Sequence, residues 1–262
     1  LRLDPVDPFN RDPGAAERGT LYHAIIDRFV REGHIAGTLE GESAMERILT
    51  ELFDMEELPA HIDAVWRPRF REVARAFLDW EAERRPAIRR TFTEVRGSVE
   101  LDTVNIRLTG VADRIDMTGP KAADIIDYKT GYNPSPAQAR TLLDPQLALE
   151  AAALSAGAFR DAGSLVPQDL LYVRLRPGSR FGADTVNNEN SARSDKAKSA
   201  LDLAEESIDQ LIKFVSLLQS GERGFTSRLI PAQQFDFGGD YDHLARVSEW
   251  STAEDEEAGG DE

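Results

Sequence analysis

The stretch from Leu108 to Gly131 reads LTGVADRIDMTGPKAADIIDYKTG. A strong turn signal, Thr118-Gly119-Pro120-Lys121, stands near its middle, because Gly and Pro favour tight reversals of the chain. Segments containing Val and Ile lie on both sides of the turn and predict strands at about residues 104–116 and 123–129. We expect these strands to pair as an antiparallel hairpin, and the rest of the fold is organised around it.

This hairpin brings two carboxylates together. With the turn centred near Gly119, Asp113 lies opposite Ile126 or Asp127. Lys129 follows Asp127 by two residues, so the two side chains share one face of the strand. Two carboxylates this close repel each other unless a proton or a cation lies between them, and hard divalent cations such as Mg²⁺ take oxygen ligands. An ordinary cross-strand ion pair is the alternative that the spacing leaves open.

The remaining elements follow from hydrophobic periodicity and from the positions of Pro and Gly. Helices are expected at about residues 13–32, 42–53, 68–85, 144–159 and 196–218, strands at about residues 88–100 and 169–175, and a loop or hairpin over 177–193. This order of helices, three strands, helix, strand and helix predicts an α/β fold with helices on a mixed sheet.

The composition excludes several kinds of site. The chain has 262 residues, of which 41% are apolar and 30% charged, as expected of a folded protein with a large core. It has no cysteine, which excludes disulfides, thiolate zinc sites and a cysteine nucleophile. No apolar run approaches the length of a membrane span and no signal peptide is recognisable, so we expect a cytoplasmic protein. Because it begins at Leu1, we expect it to be part of a longer chain.

Charge is unevenly distributed along the chain. The net charge is −16, which by itself argues against a nucleic-acid-binding protein. Residues 67–96 nevertheless contain nine arginines and five acidic residues. These arginines are candidates for phosphate contacts, and a solvated helix with local ion pairs is the alternative. The arginines are at positions 67, 69, 71, 75, 84, 85, 89, 90 and 96, with a second possible strip at positions 174, 176 and 180.

Four short strings together resemble a known family. In chain order they are RGTLYH at 18–23, GVADRID at 110–116, IIDYKTG at 125–131 and QLALE at 146–150. They resemble the motifs of the PD-(D/E)xK nuclease superfamily, and within it those of the RecB-like branch. The arrangement is most similar to the C-terminal nuclease domain of AddB, a subunit of the AddAB helicase–nuclease. The segment YDHLAR at 241–246 adds to this resemblance.

The resemblance implies a fold and a domain organisation. The fold would be α/β with a restriction-endonuclease-like core, in which helices flank a mixed central β-sheet and an N-terminal helical layer precedes it. Residues 1–250 would form a single nuclease domain. After it, the six acidic residues between Glu254 and Glu262, with no basic residue among them, predict a disordered acidic tail over 251–262. Within the domain, the helical layer would span about 13–86, the catalytic core about 87–220 and a C-terminal extension 221–250.

The resemblance also implies an activity. It would be Mg²⁺- or Mn²⁺-dependent hydrolysis of DNA phosphodiester bonds in double-strand break repair and recombination, with an AddA-like helicase–nuclease subunit as partner. Many relatives carry an iron–sulfur cluster held by four cysteines, so this chain would be a cluster-free version. The alternative is a catalytically inactive module that uses the nuclease fold for DNA binding or for assembly of a complex.

The implied site residues form two groups. The implied metal ligands are His23, Asp113, Asp127 and the backbone carbonyl of Tyr128. Lys129 would orient the attacking water or stabilise the transition state, and Gln146 would support the site or contact DNA. Glu150 stands where the family has a tyrosine, and we expect it to face solvent rather than the metal.

Other polar residues are interpreted as structural or exposed. Asp116 and Asp124 are expected to pair near the turn and to be solvated. Glu94 lies on the strand before the hairpin and would reach the site only in one register, which the sequence leaves undetermined. The other three histidines, at positions 34, 61 and 243, lack ligand spacing and are interpreted as structural or surface residues. The aromatic residues at positions 66, 70 and 77 are interpreted as core rather than as stacking platforms for bases.

Overall fold

The computed structural model describes residues 11–189, 197–222 and 224. The segment at 241–246, His243 and the acidic tail at 251–262 lie outside these residues. Asp12–Lys213 form one compact unit. Arg11 and the residues from Phe214 onward belong to a second unit, of which the described part is mainly the end of one helix. Within the described residues, none of the helices combines the length and the hydropathy needed to cross a membrane.

Three helices form the predicted N-terminal layer: α1 at Ala15–Arg31, α2 at Leu39–Met55 and α3 at Ala60–Arg84. The apolar face of α1 is buried, with Ile25, Ile26 and Phe29 wholly inaccessible. Helix α3 begins eight residues before the predicted start at Pro68, which lies inside it. Proline lacks the amide proton that a helix interior uses, and burial of the aromatic side chains around it offsets this loss.

The predicted mixed sheet is confirmed, and the described residues contribute five strands to it. They are β1 at Arg90–Leu101, β2 at Ile106–Met117, β3 at Ala122–Lys129, β4 at Val166–Arg174 and β5 at Gly182–Thr185. The strands lie side by side in chain order. Among these five described strands, β3 and β4 pair in parallel and the other neighbouring pairs are antiparallel. A parallel pair needs a long crossover, and this one contains α4 at Pro136–Arg140 and α5 at Gln146–Ser155. Helix α6 follows at Ala200–Gln219.

Helices cover both faces of this sheet. On one face, α1, α2 and α3 pack against Ile126 and Tyr128 of β3. On the other face, α5 and the N-terminal half of α6 pack against a cluster that includes Ile125 and Tyr172. Six of the eight residues of β3 are therefore buried, including two aspartates, Asp124 and Asp127. A polar side chain on β3 is therefore costly unless it has a partner or a function.

A buried ionic network fastens α3 to the β2–β3 hairpin. The Arg114 side chain is fully inaccessible, and its two terminal nitrogens donate to Glu81 at 2.7 and 2.9 Å while Nε donates to Asp116 at 2.8 Å. Arg84 donates to Asp116 at 3.0 Å and to Asp124 at 3.3 Å. The expectation that Asp116 and Asp124 are solvated is therefore wrong, because α3 covers them and supplies the cation.

Candidate active site and metal centre

The candidate site lies where β2 and β3 separate. Their pairing ends at Arg114 and Ile126, and one residue further along both strands Asp113 lies across from Asp127. The register predicted from the turn is thus confirmed. Beyond the last pair, Asp113 Oδ2 accepts a hydrogen bond of 2.8 Å from the Tyr128 backbone N–H. The side chain of Asp113 therefore satisfies a donor at the point where the strands part.

Three potential ligands converge beside this point. Ligand atoms of His23, Glu94 and Asp113 all lie within 4.8 Å of one another. His23 comes from α1, and its Nδ1 is 3.5 Å from Asp113 Oδ2. The imidazole ring also meets the Tyr128 ring edge-on, with 5.9 Å between centroids. The helical layer and the sheet thus each contribute to one cluster of nitrogen and oxygen ligands.

Glu94 was only a weak candidate from the sequence. Its neighbours on β1 pair with the neighbours of Asp113 on β2, so Glu94 lies directly opposite Asp113. Its backbone has φ of 50°, a conformation that is uncommon for residues other than Gly and costs energy. The sequence contains no signal for the β1–β2 register, because the turn at 102–105 has no strong Gly or Pro marker.

The electrostatics of this cluster favour a bound cation. Burial lowers the pKa of His23, so the imidazole is neutral near pH 7 and has a lone pair available for a metal. Burial raises the pKa of Asp113, and burial followed by the charge of Asp113 raises the pKa of Glu94. A divalent cation would remove the repulsion between the carboxylates. One imidazole nitrogen and several carboxylate oxygens are a donor set that suits Mg²⁺ or Mn²⁺.

A second group of polar side chains adjoins the first. The Lys129 ammonium lies 2.8 Å from Asp127 Oδ2 and donates to Gln146 Oε1 at 2.8 Å. The Gln146 amide nitrogen donates to Asp127 Oδ1 and, at 3.1 Å, to Glu150 Oε1. Gln146, at the first turn of α5, therefore fixes the positions of Asp127, Lys129 and Glu150 at once.

The charges of the two groups act on each other. Burial and then the negative charge of Asp113 raise the pKa of Asp127 to about 6, against the opposing effect of the Lys129 ammonium. Asp127 itself lies outside the set of mutually close ligand atoms formed by His23, Glu94 and Asp113. The structure thus brings all six predicted site residues into one region, and it places the Asp127 oxygens against Gln146 and Lys129.

The expectation that Glu150 faces solvent is wrong. Glu150 is 9% exposed, because α5 packs on the sheet along the side that carries Gln146 one turn earlier. Burial, followed by the charge of Asp127, raises the pKa of Glu150 to about 8. Its Oε2 atom makes no hydrogen bond to any described residue. The sequence offered only the spacing of four residues from Gln146 as a signal.

The remaining candidates lie elsewhere. His34 contacts Glu32 at 2.9 Å and His61 contacts Asp12 at 3.2 Å, so neither joins the cluster. Among the arginines of the basic stretch, three form ion pairs with carboxylates, namely Arg67 with Asp54 and Asp63, Arg71 with Glu46, and Arg84 in the buried network. The aromatic residues at 66, 70 and 77 are buried in the helical layer, which confirms their assignment to the core.

Comparison with known proteins identifies relatives of the chain. An "Uncharacterized protein" of Rickettsia bellii is 25% identical over 169 residues, which are 64% of this chain and 20% of that protein. "Uncharacterized protein RC0550" of Rickettsia conorii is 27% identical over 200 residues, which are 72% of this chain and 23% of that protein. The chain thus spans about a fifth of the length of these curated relatives.

A solved structure and a family model also match. The crystal structure named "Putative exonuclease" from Eubacterium rectale is 12% identical, with a TM-score of 0.40 over 90% of this chain and 81% of that one. The model of the PD-(D/E)XK nuclease superfamily matches residues 1–229. The mixed sheet, its flanking helices and the N-terminal layer agree with the restriction-endonuclease-like fold expected of this superfamily. The chain therefore belongs to the PD-(D/E)XK nuclease superfamily.

Proposed function

We propose that this chain is a nuclease that hydrolyses DNA phosphodiester bonds with Mg²⁺ or Mn²⁺. The observation that carries this proposal is the convergence of His23, Glu94 and Asp113 within 4.8 Å, next to the ion pair of Asp127 and Lys129. A fold can persist without its activity. Buried carboxylates close to one another nevertheless lower the stability of the protein, which favours a functional role for them.

The proposed metal ligands combine the resemblance with the geometry. His23, Asp113, Asp127 and the Tyr128 carbonyl are the set that the resemblance implies, and Glu94 joins them because of its position opposite Asp113. A divalent cation held here would act as a Lewis acid on the phosphate and would lower the pKa of a water molecule. The pKa of His23 is lowered by burial, which keeps the imidazole in the neutral form that ligation needs.

Lys129 and Gln146 are proposed to act on the reacting groups. The ammonium of Lys129 is positioned by Asp127 and by Gln146 Oε1, and it also lies 5.4 Å above the Tyr172 ring. A positive charge fixed in this way can orient the attacking water or stabilise the negative charge that develops on the phosphate. Gln146 is a positioning residue, since its amide holds both Asp127 and Lys129.

The cellular role is proposed from the resemblance. The four strings over residues 18–150 and their similarity to AddB favour a role in double-strand break repair, within a cytoplasmic helicase–nuclease that has an AddA-like subunit. Because the chain has no P-loop motif, the motor would lie in another chain or another part of a longer protein. A catalytically inactive module for DNA binding or assembly is the second candidate, and of these two uses the net charge of −16 favours assembly.

Cleavage of labelled DNA by the purified chain tests this proposal. We expect cleavage with Mg²⁺ or Mn²⁺ and none with EDTA. Lys129→Ala is expected to lower the rate by at least about 100-fold, the order of magnitude lost with one electrostatic group at a reacting centre. Lys121→Ala is the matched control, since Lys121 is exposed in the turn at the opposite end of β3. A well-folded protein that neither cleaves DNA nor binds metal would favour the inactive module.

A further inference from the structure

A cleft lined by four arginines lies next to the candidate active site. It has a volume of about 290 Å³, and none of the described residues that line it is acidic. We call it the arginine cleft, and its four arginines are Arg18, Arg69, Arg176 and Arg180. They come from α1, α3 and the segment after β4, so three separate parts of the chain bring positive charge to one place.

The arginine cleft borders the end of β3, the strand that carries Asp127 and Lys129. Thr130 and Gly131 form part of its wall, and they directly follow Lys129 in the chain. Two residues span at most about 7 Å, so the cleft begins close to the backbone of Lys129. On the opposite wall, α1 carries Arg18 and Tyr22 toward the cleft and His23 toward the candidate metal site. One helix and one strand end therefore border both sites.

The walls of the cleft are held together by specific contacts. The Tyr22 hydroxyl donates to the Trp66 carbonyl at 3.1 Å, which joins α1 to α3. A Cβ atom on Gly19 would lie 3.0 Å from Thr130 Oγ1, so glycine allows α1 to approach the end of β3 closely. Arg176 donates to the Gly131 carbonyl. These contacts join the elements that form the walls of the cleft and so fix its shape.

The positive charge in the cleft is not neutralised by described carboxylates. Nine other arginines form ion pairs with Asp or Glu, at positions 28, 31, 47, 67, 71, 84, 107, 114 and 174. No ion pair with a described residue involves an arginine of the cleft. Burial raises the pKa of Tyr22 to about 12, and the charges of Arg18 and Arg69 both oppose this shift, so the two guanidinium groups act on the same small region.

We propose that the arginine cleft binds backbone phosphates of the DNA strand on one side of the scissile bond. This inference rests on the proposed nuclease function and adds where the strand runs. Guanidinium groups form paired hydrogen bonds to phosphate oxygens, and phosphate contacts set the register of a protein on nucleic acid. In a chain with a net charge of −16, a local group of arginines is needed to offset the repulsion of a polyanion.

DNA binding in EDTA tests this proposal without requiring cleavage. The probe is a fluorescent single-stranded oligonucleotide, measured by anisotropy over a range of salt concentrations. Arg69 and Arg180 are exposed, so their replacement with alanine is not expected to disturb folding. For Arg69→Ala/Arg180→Ala we expect Kd to rise about tenfold or more at low salt. The slope of log K against log [salt] should become shallower by about 1.4, which is 0.7 for each lost phosphate contact.

The control variant is Arg47→Ala/Lys121→Ala. It also removes two positive charges, but from exposed positions outside the cleft. We expect it to leave both Kd and the salt slope unchanged. Equal weakening by the two double variants would overturn the arginine cleft as a site and would indicate a general charge effect. If wild-type protein cleaves DNA with metal while the cleft variant binds DNA as wild type does, the cleft proposal fails and the nuclease proposal stands. Absence of both binding and cleavage would overturn both.

Discussion

Replacing Glu150 with glutamine tests whether a carboxyl group in the candidate active site is held in its uncharged form. Glu150 is buried, accepts a hydrogen bond from Gln146 at 3.1 Å and has one oxygen without a described partner. Burial raises its pKa from 4.5 to about 8. Glutamine has nearly the same shape and can keep the contact with Gln146. The substitution therefore removes the ionisable carboxyl group and preserves the packing.

The magnitude follows from proton linkage. Between pH 4.5 and about 8 the folded protein keeps the Glu150 proton, whereas the unfolded chain has released it. The unfolded state therefore binds fewer protons, and the stability of the wild-type protein falls as pH rises, by about 1.4 kcal/mol for each pH unit. From pH 6 to pH 8 this amounts to about 2 kcal/mol, because half of the folded molecules have released the proton by pH 8. The Glu150→Gln variant cannot lose stability in this way. Its free energy of unfolding relative to wild type should therefore rise by the same amount between pH 6 and pH 8.

Urea denaturation in metal-free buffer at several pH values from 6 to 9 measures this difference. Glu205→Gln is the matched control, since Glu205 is exposed on α6, and its stability relative to wild type should change by less than about 0.5 kcal/mol. A difference between Glu150→Gln and wild type that is the same at pH 6 and pH 9 would refute the reasoning. It would mean that Glu150 is ionised and solvated in the folded protein.

Three further predictions concern packing and metal binding. Arg114→Met leaves buried carboxylates without their cation and is expected to lower the free energy of unfolding by about 3–5 kcal/mol; a loss below about 1 kcal/mol in urea denaturation would contradict this. Gly97→Ala places a Cβ 2.6 Å from the Phe159 ring and should cost about 1–3 kcal/mol. Gly110→Ala meets no atom within 4 Å and should cost less than about 0.5 kcal/mol, so equal losses would count against the packing argument. Mn²⁺ should raise the Tm of wild type but not of Asp113→Asn, and an equal rise in both would place the metal elsewhere.

The hairpin and its register were predictable because the signals are local. The turn at 118–121 and the Val- and Ile-containing segments on either side fix the two strands, and pairing across a short turn leaves little freedom. The neighbourhood of Asp113 and Asp127 follows directly. The burial of Asp124 on β3 did not follow from these local signals.

The features that sequence missed depend on distant segments. Arg84 is 40 residues from Asp124, so nothing local to the turn indicates that this carboxylate is buried against a guanidinium group. Glu94 joins the cluster through the β1–β2 register, which no strong turn signal marks. Glu150 is buried because of how α5 packs on the sheet, and an Ala- and Leu-rich helix of this kind has a weak polar face from which its orientation could be predicted.

The most direct test of the proposed metal centre is Mn²⁺ binding measured by electron paramagnetic resonance. We expect wild type to bind Mn²⁺, and we expect Asp113→Asn and Glu94→Gln each to weaken binding at least about tenfold, since each removes a charged ligand. Glu100→Gln is the control, because Glu100 lies on the same strand as Glu94 but outside the cluster. Loss of affinity in the two cluster variants alone is the predicted result. Mn²⁺ binding that is the same in wild type and in Asp113→Asn would contradict the assignment of the metal centre.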